Sequence, residues 1–250
     1  MTRFSANLGF LWADLPLPQA IRAAHAAGYD AVECHWPYDT PAAEVRAALA
    51  DTGLEMLGLN TLRGAPGENG LAAIPGREAE ARAEIDRAID YARAIGCGAV
   101  HVMSGIASGP GAEAALRGNL AHAAAQAPEL TFLIEPLNHH DAPGYFLNTS
   151  DQAARLIEAF AIPNLRMMFD CYHLQIMEGD ITRRLRRHLP MIGHVQFASV
   201  PDRGAPDRGE LDYRHVCAVL ADLGWDRPVG AEYRPGVQGP GLGWAAALAP

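Results

Sequence analysis

The chain contains no lysine; its 20 Lys-plus-Arg residues are all arginines. That absence excludes whole classes of chemistry. Schiff-base aldolases and pyridoxal-phosphate enzymes form an imine on a lysine amine. Walker-type phosphate loops place a lysine on the terminal phosphates. Neither can be built here. The four cysteines, Cys34, Cys97, Cys171 and Cys217, contain no Cys-x-x-Cys pair, so reduced structural thiols in a cytoplasmic protein are expected. No run of about 18 apolar residues occurs, so no bilayer-spanning segment is expected. Met1–Phe10 lacks the basic-then-apolar pattern of a secretory leader. Positive charge is in deficit overall, with a formal net charge of -9. An acidic surface repels phosphate backbones and anionic membranes, so neither nucleic acid nor membrane is an expected partner.

What is present is alternation. Short apolar runs occur at Ser5–Leu11, Ala31–His35, Glu55–Asn60, Ala99–Met103, Thr131–Leu137, Leu165–Asp170, Ile192–Val200 and Val229–Tyr233. Between them lie helix-period segments at Leu17–Ala27, Ala42–Asp51, Arg77–Ile95, Ala112–Ala127, Ser150–Phe160, Thr182–His188 and Tyr213–Leu223. Thr149 or Ser150 and Asp180 read as N-caps, and Gly28, Gly53, Gly96 and Gly224 as helix ends. Strands alternating with helices imply βαβ units and a parallel sheet. Eight repeats in 250 residues predict an α/β fold, a (β/α)8 barrel spanning 1–250 as a single domain. A doubly wound sheet is the competing fold; it lacks its Gly-rich turn after the first strand. Gly239–Pro250 makes a poor eighth helix. Thr61–Gly76 is the longest irregular stretch, and a loop of that length suggests a lid.

In a parallel barrel, active groups sit where strands end. The fifth run carries Glu135, the sixth ends on Asp170, the seventh holds His194 and Gln196, and the eighth carries Glu232. Each polar residue lies within or just after an apolar run. Inward carboxylates on neighbouring strands repel and cost solvation unless paired or bound to a metal. Four oxygen donors suit a hard divalent cation, Mg2+ or Mn2+. Any one of these residues alone reads equally well as a helix cap, a loop residue or a satisfied core amide; together they point to a metal site. His194 shares the inner face with Gln196 and is expected deeper in the barrel. His139-His140-Asp141 resembles a metal cluster, but adjacent loop residues point apart. The Arg183-Arg184-Arg186-Arg187 patch reads as a solvated, ion-paired helix face.

Further motifs carry a family resemblance. They are Gly28-Tyr29-Asp30-Ala31-Val32-Glu33, Val100-His101-Val102-Met103-Ser104-Gly105, Ile134-Glu135-Pro136-Leu137-Asn138, Asp170-Cys171-Tyr172-His173, Gly193-His194-Val195-Gln196, Glu232-Tyr233-Arg234-Pro235 and Gly241-Leu242-Gly243-Trp244. From Phe4 to about Trp244 the chain resembles the hydroxypyruvate isomerase family of xylose-isomerase-like barrels, its 2-oxo-tetronate isomerase branch above all. The resemblance implies one divalent metal ion held by Glu135, Asp170, Gln196 and Glu232. It implies that Glu135 and Glu232 also form the catalytic acid/base pair, and that His173 and Arg203 touch the substrate. Arg63 competes with Arg203 for a substrate carboxylate, and Asn60 joins the expected substrate contacts. Arg234 stands where the family usually carries lysine. Pro143-Gly144-Tyr145-Phe146 looks like the hydroxypyruvate branch; Asn60-Thr61 and the Gly-Leu-Gly-Trp end look like the oxo-tetronate branch.

The expected activity is aldose–ketose isomerisation of a small sugar acid in carbohydrate metabolism. A ketose 3-epimerase, a metal-dependent apurinic endonuclease and a non-catalytic sugar-acid binding protein are the alternatives. A homo-oligomer is compatible with the sequence. For Arg203, the competing expectation is a surface residue paired with Asp202 or Asp207.

Overall fold

A computed structural model describes residues 2–248. Its strands are β1 (Phe4–Asn7), β2 (Ala31–Glu33), β3 (Glu55–Met56), β4 (Leu59–Asn60), β5 (Ala99–His101), β6 (Thr131–Ile134), β7 (Leu165–Asp170), β8 (Ile192–Phe197) and β9 (Val229–Ala231). All pairings are parallel, in the order β3-β2-β1-β9-β8-β7-β6-β5-β4. The two ends of that order, β3 and β4, are one expected strand broken at Leu57-Gly58. Backbone bonding bridges the break: Leu57 N–H donates to Val32 at 2.8 Å and Asn60 N–H to His35 at 2.8 Å. The sheet therefore closes on itself, and the fold is a (β/α)8 barrel.

The helices are α1 (Leu17–Ala26), α2 (Ala42–Thr52), α3 (Glu78–Ile95), α4 (Gly109–Gln126), α5 (Ser150–Phe160), α6 (Cys171–Met177), α7 (Ile181–His188) and α8 (Tyr213–Asp222). Their buried faces are rich in alanine, for instance Ala81, Ala88 and Ala92 on α3. Gly53 and Gly96 end α2 and α3 in the left-handed conformation, as expected. Thr149 caps α5 by accepting from Gln152 N–H at 3.1 Å. Asp180 does not cap α7: it sits at φ 52° and its side chain makes no cap bond, turning instead to Arg183. Among the described residues no α-helix follows β9, and the last two residues of the expected Gly239–Pro250 segment lie outside them. A 3-10 turn, Ala245–Leu248, follows Trp244, whose indole donates to the Tyr233 hydroxyl at 3.0 Å and packs edge-on against Phe4 and Phe197. No helix among the described residues is long and apolar enough to cross a membrane.

The expected 61–76 lid narrows. Leu71, Ala72 and Ala73 are buried, and Ala72 and Ala73 N–H donate to the carbonyls of Met103 and Ser104. A Cβ on Gly70 would lie 2.3 Å from the Met103 carbonyl oxygen, so only glycine allows this approach. That half of the loop is fixed structure. Arg63–Gly67 is exposed and is the part left to cover anything.

The barrel interior follows the period-2 rule of strands. Ala99, Leu133 and Met168 form a small apolar cluster of their own inside it. Two residues further along each strand, at the C-terminal mouth, stand His101, Glu135 and Asp170.

Candidate active site

Glu135 follows β6, Asp170 ends β7, Gln196 lies on β8 and Glu232 follows β9. Register pairs Asp170 with Gln196 and Gln196 with Gly230, so the groups form one arc around the mouth. Glu135, Asp170 and Glu232, with His173, offer atoms that all lie within 4.8 Å of one another. All four are buried, as is Gln196.

The three carboxylates are held differently. Glu232 is anchored: Asn7 Nδ2 donates to Oε1 at 2.9 Å, His35 Nε2 lies 3.0 Å from the same oxygen, and Arg203 donates to Oε2 at 2.6 Å. Burial pushes the Glu232 carboxyl up, but the Arg203 guanidinium and the His35 bond outweigh it and hold it below the usual carboxylate range. Among the described residues Glu135 has only His101 Nδ1 at 3.6 Å and His173 Nε2 at 4.0 Å. Burial first, then the charges of Glu232 and Asp170, raise Glu135 well above the usual range. Burial and Glu232 likewise push Asp170 up to about 8. The cluster carries more negative charge than Arg203 neutralises.

A divalent cation fits these donors. Glu135 Oε1, Asp170 Oδ2 and Gln196 Oε1 are buried oxygens without a protein hydrogen-bond partner, a costly state that a ligand relieves. All are hard oxygen donors. His173 stands within reach of the same point but suits another role. Its Nδ1 accepts the backbone N–H of Asn138 at 3.1 Å, so the neutral ring carries its proton on Nε2. Burial, then Arg203, lowers its pKa to about 3. Nε2 thus presents an N–H toward Asp170 Oδ2 at 3.6 Å, which leaves that nitrogen no lone pair for a metal.

Arg203 is not a surface residue. It is 8% exposed and pairs with Glu232 and Asp141; Asp202 instead takes Ser199 and Arg208. Its guanidinium lies 4.6 Å from the Phe10 ring centre and 4.9 Å from that of Tyr172. Its Nε is buried with no partner. Arg203 itself adopts φ 54°, a strained conformation of the kind that clusters at working sites. Arg63 is exposed and lies 4.5 Å over the Trp36 ring. Arg63, Arg203, His173, Asn60, Glu135 and Glu232 all line one cavity of about 80 Å³ at the mouth.

His139 and His140 are exposed and stay outside the cluster, while Asp141 enters it through Arg203 and Tyr172. His194 lies deeper, as expected, at 2.8 Å from Glu33. In the arginine patch on α7, Arg183, Arg184 and Arg187 are ion-paired to Asp180, Asp151 and Glu178. Asn7, His35, His101 and Glu33 are site residues that the sequence reading missed. Glu33 and His101 end β2 and β5 but lie inside the second and fourth expected strands, Ala31–His35 and Ala99–Met103, where a polar residue within an apolar run was the available signal.

Comparison with known proteins agrees with the fold. Residues 21–249 match the family described as xylose isomerase-like TIM barrel, and the chain belongs to it. It is 45% identical to a 2-oxo-tetronate isomerase of Cupriavidus necator, over 98% of this chain and 97% of that protein. It is 37% identical to the hydroxypyruvate isomerase of Escherichia coli, over 94% of both. A crystal structure from Brucella melitensis, described as an AP endonuclease of family 2, superimposes with TM-score 0.94 at 40% identity over 98% of each chain. The protein is an isomerase.

Proposed function

We propose that this isomerase moves a carbonyl between adjacent carbons of a small hydroxy-carbonyl acid of the hydroxypyruvate or 2-oxo-tetronate class. The observation that carries the reading is one small cavity lined by three carboxylates, Glu135, Glu232 and Asp141, and two guanidinium groups, Arg203 and Arg63. Its size, about 80 Å³, is far below the roughly 300–1,000 Å³ of sites for larger ligands. A compact acid suits it and a nucleotide flipped from DNA does not. The net charge of -9 also argues against the endonuclease reading.

A divalent cation, Mg2+ or Mn2+, held by Glu135, Asp170, Gln196 and Glu232 supplies Lewis acidity toward the carbonyl and hydroxyl oxygens when bound. One of Glu135 and Glu232 takes the proton from the hydroxyl-bearing carbon, the hydroxyl proton passes to the former carbonyl oxygen, and a proton returned from the glutamate pair to the former carbonyl carbon leaves the carbonyl on the other carbon. His173 Nε2–H donates to a substrate oxygen as charge develops there. Arg203 binds the substrate carboxylate, with Asn60 and Arg63 completing the wall. A guanidinium fixes a carboxylate by two parallel hydrogen bonds.

Wild type and Arg203→Met, assayed side by side on hydroxypyruvate, 2-oxo-tetronate and D-tagatose, test the reading. Wild type is expected to turn over at least one acid far better than the neutral ketose. Arg203→Met should lower kcat/KM on the acid by about 1.5–3 kcal/mol, the worth of a charge-assisted hydrogen bond, roughly 10- to 150-fold. Preference of wild type for D-tagatose would point to a sugar epimerase. Because Arg203 also holds Glu232, an equal loss on every substrate would assign it to support of the carboxylate alone.

A further inference from the structure

We propose that Glu33, together with His194, is the positioning residue that fixes the carboxamide of Gln196 with its oxygen free for the cation; this rests on the reading of Gln196 as a ligand. Glu33 closes the Gly28–Glu33 motif at the end of β2 and is buried inside the barrel. Its Oε2 accepts from Gln196 Nε2 at 3.2 Å and lies 2.8 Å from His194 Nε2. Both partners stand on β8, two residues apart on one face. β2 and β8 are not neighbours: β1 and β9 lie between them. The contact therefore crosses the barrel interior.

The sequence makes room for it with a glycine. A Cβ on Gly230 of β9 would lie 2.2 Å from Glu33 Oε1, 2.8 Å from Gln196 Cγ and 2.9 Å from His194 Nε2. Any side chain there would displace the triad, so β9 leaves the gap through which β2 reaches β8. The consequence is chemical. A carboxylate oxygen accepts, so it holds the Gln196 amide by its NH2 group and sets the orientation of the amide. The other end, Oε1, is left buried and without a protein partner. Gln196, Glu135 and Glu232 line the same inner cavity. Only the oxygen of an amide serves a hard cation; a free carboxamide would present oxygen and nitrogen alike.

The test is a double-mutant cycle read by Mn2+ titration of the metal-free protein, with circular dichroism as the check on folding. Glu33→Met keeps side-chain length and removes the acceptor. It is expected to weaken Mn2+ binding roughly 10- to 100-fold, the usual cost of losing a group that orients a ligand. Glu33→Met combined with Gln196→Ala should bind no more weakly than Gln196→Ala alone, because residues acting through one another are not additive. Should Glu33→Met not fold, Gly230→Ala, which changes no charge, replaces it in the same cycle with the same expectation. Unchanged affinity in the Glu33 or Gly230 variant would overturn the proposal. So would losses that multiply with Gln196→Ala, which would mean that Glu33 acts by its charge alone. Wild-type affinity in Gln196→Ala, or no binding by wild type, would instead overturn the ligand reading and the inference with it.

Discussion

Glu135→Gln and Glu232→Gln are each expected to lose at least about 10²–10⁴-fold in kcat, the usual worth of a general acid or base, with the fold intact by circular dichroism. Each residue is asked both to hold the cation and to move a proton, so one substitution removes two functions. The two variants should differ in character. Glu135 has no hydrogen bond closer than 3.5 Å, its contacts being His101 at 3.6 Å and His173 at 4.0 Å. A glutamine there disturbs little except the chemistry. Glu232 receives Asn7, His35 and Arg203. An amide nitrogen at that place would face groups that themselves donate, so Glu232→Gln should also loosen Arg203 and raise KM for the acid. Turnover near that of wild type in either variant would refute the role assigned to it.

Removal of divalent cations with a chelator should bring turnover to background, and added Mg2+ or Mn2+ should restore it. The reason is electrostatic. Glu135, Asp170 and Glu232 share a buried cluster with one guanidinium, and the two carboxyls farthest from firm support are driven up by burial and mutual repulsion. Three of the buried oxygens have no hydrogen-bond partner. A cation answers both deficits at once, and unpaired buried charge is otherwise expensive. Full activity in thoroughly chelated protein would remove the cation from the account. Restoration is expected to favour these hard ions over thiolate-seeking ones, because no cysteine belongs to the cluster.

The barrel and the arc of polar groups at its mouth were legible because one rule generates both. A strand shows alternate residues to the interior, and a parallel barrel collects its working groups at strand ends. Glu135, Asp170, Gln196 and Glu232 each lie within or just after an apolar run, so pattern alone singled them out together. Other features depend on contacts between distant segments. Arg203 meets Asp141 across 62 positions of sequence, and nothing near either residue announces the other. His35 reaches Glu232 by crossing Gly9, whose Cβ would overlap the imidazole at 2.1 Å. The short helix α6 was hidden because Asp170 ends a strand and caps a helix at once, accepting from Tyr172 N–H at 2.9 Å, with no loop between them to read. The break at Leu57-Gly58 was hidden because hydrogen bonding to β2 runs through it.

Turnover of the preferred acid in deuterium oxide, followed by proton magnetic resonance, tests the central claim most directly. Proton transfer through Glu135 and Glu232 predicts solvent deuterium on the carbon that receives the proton in the product. The same deuterium should be absent when Glu135 or Glu232 is replaced by glutamine. Product formed at the full rate, carrying the original carbon-bound hydrogen and no deuterium, would contradict it: the hydrogen would then have moved directly between the carbons, and the two glutamates would not be the acid and base.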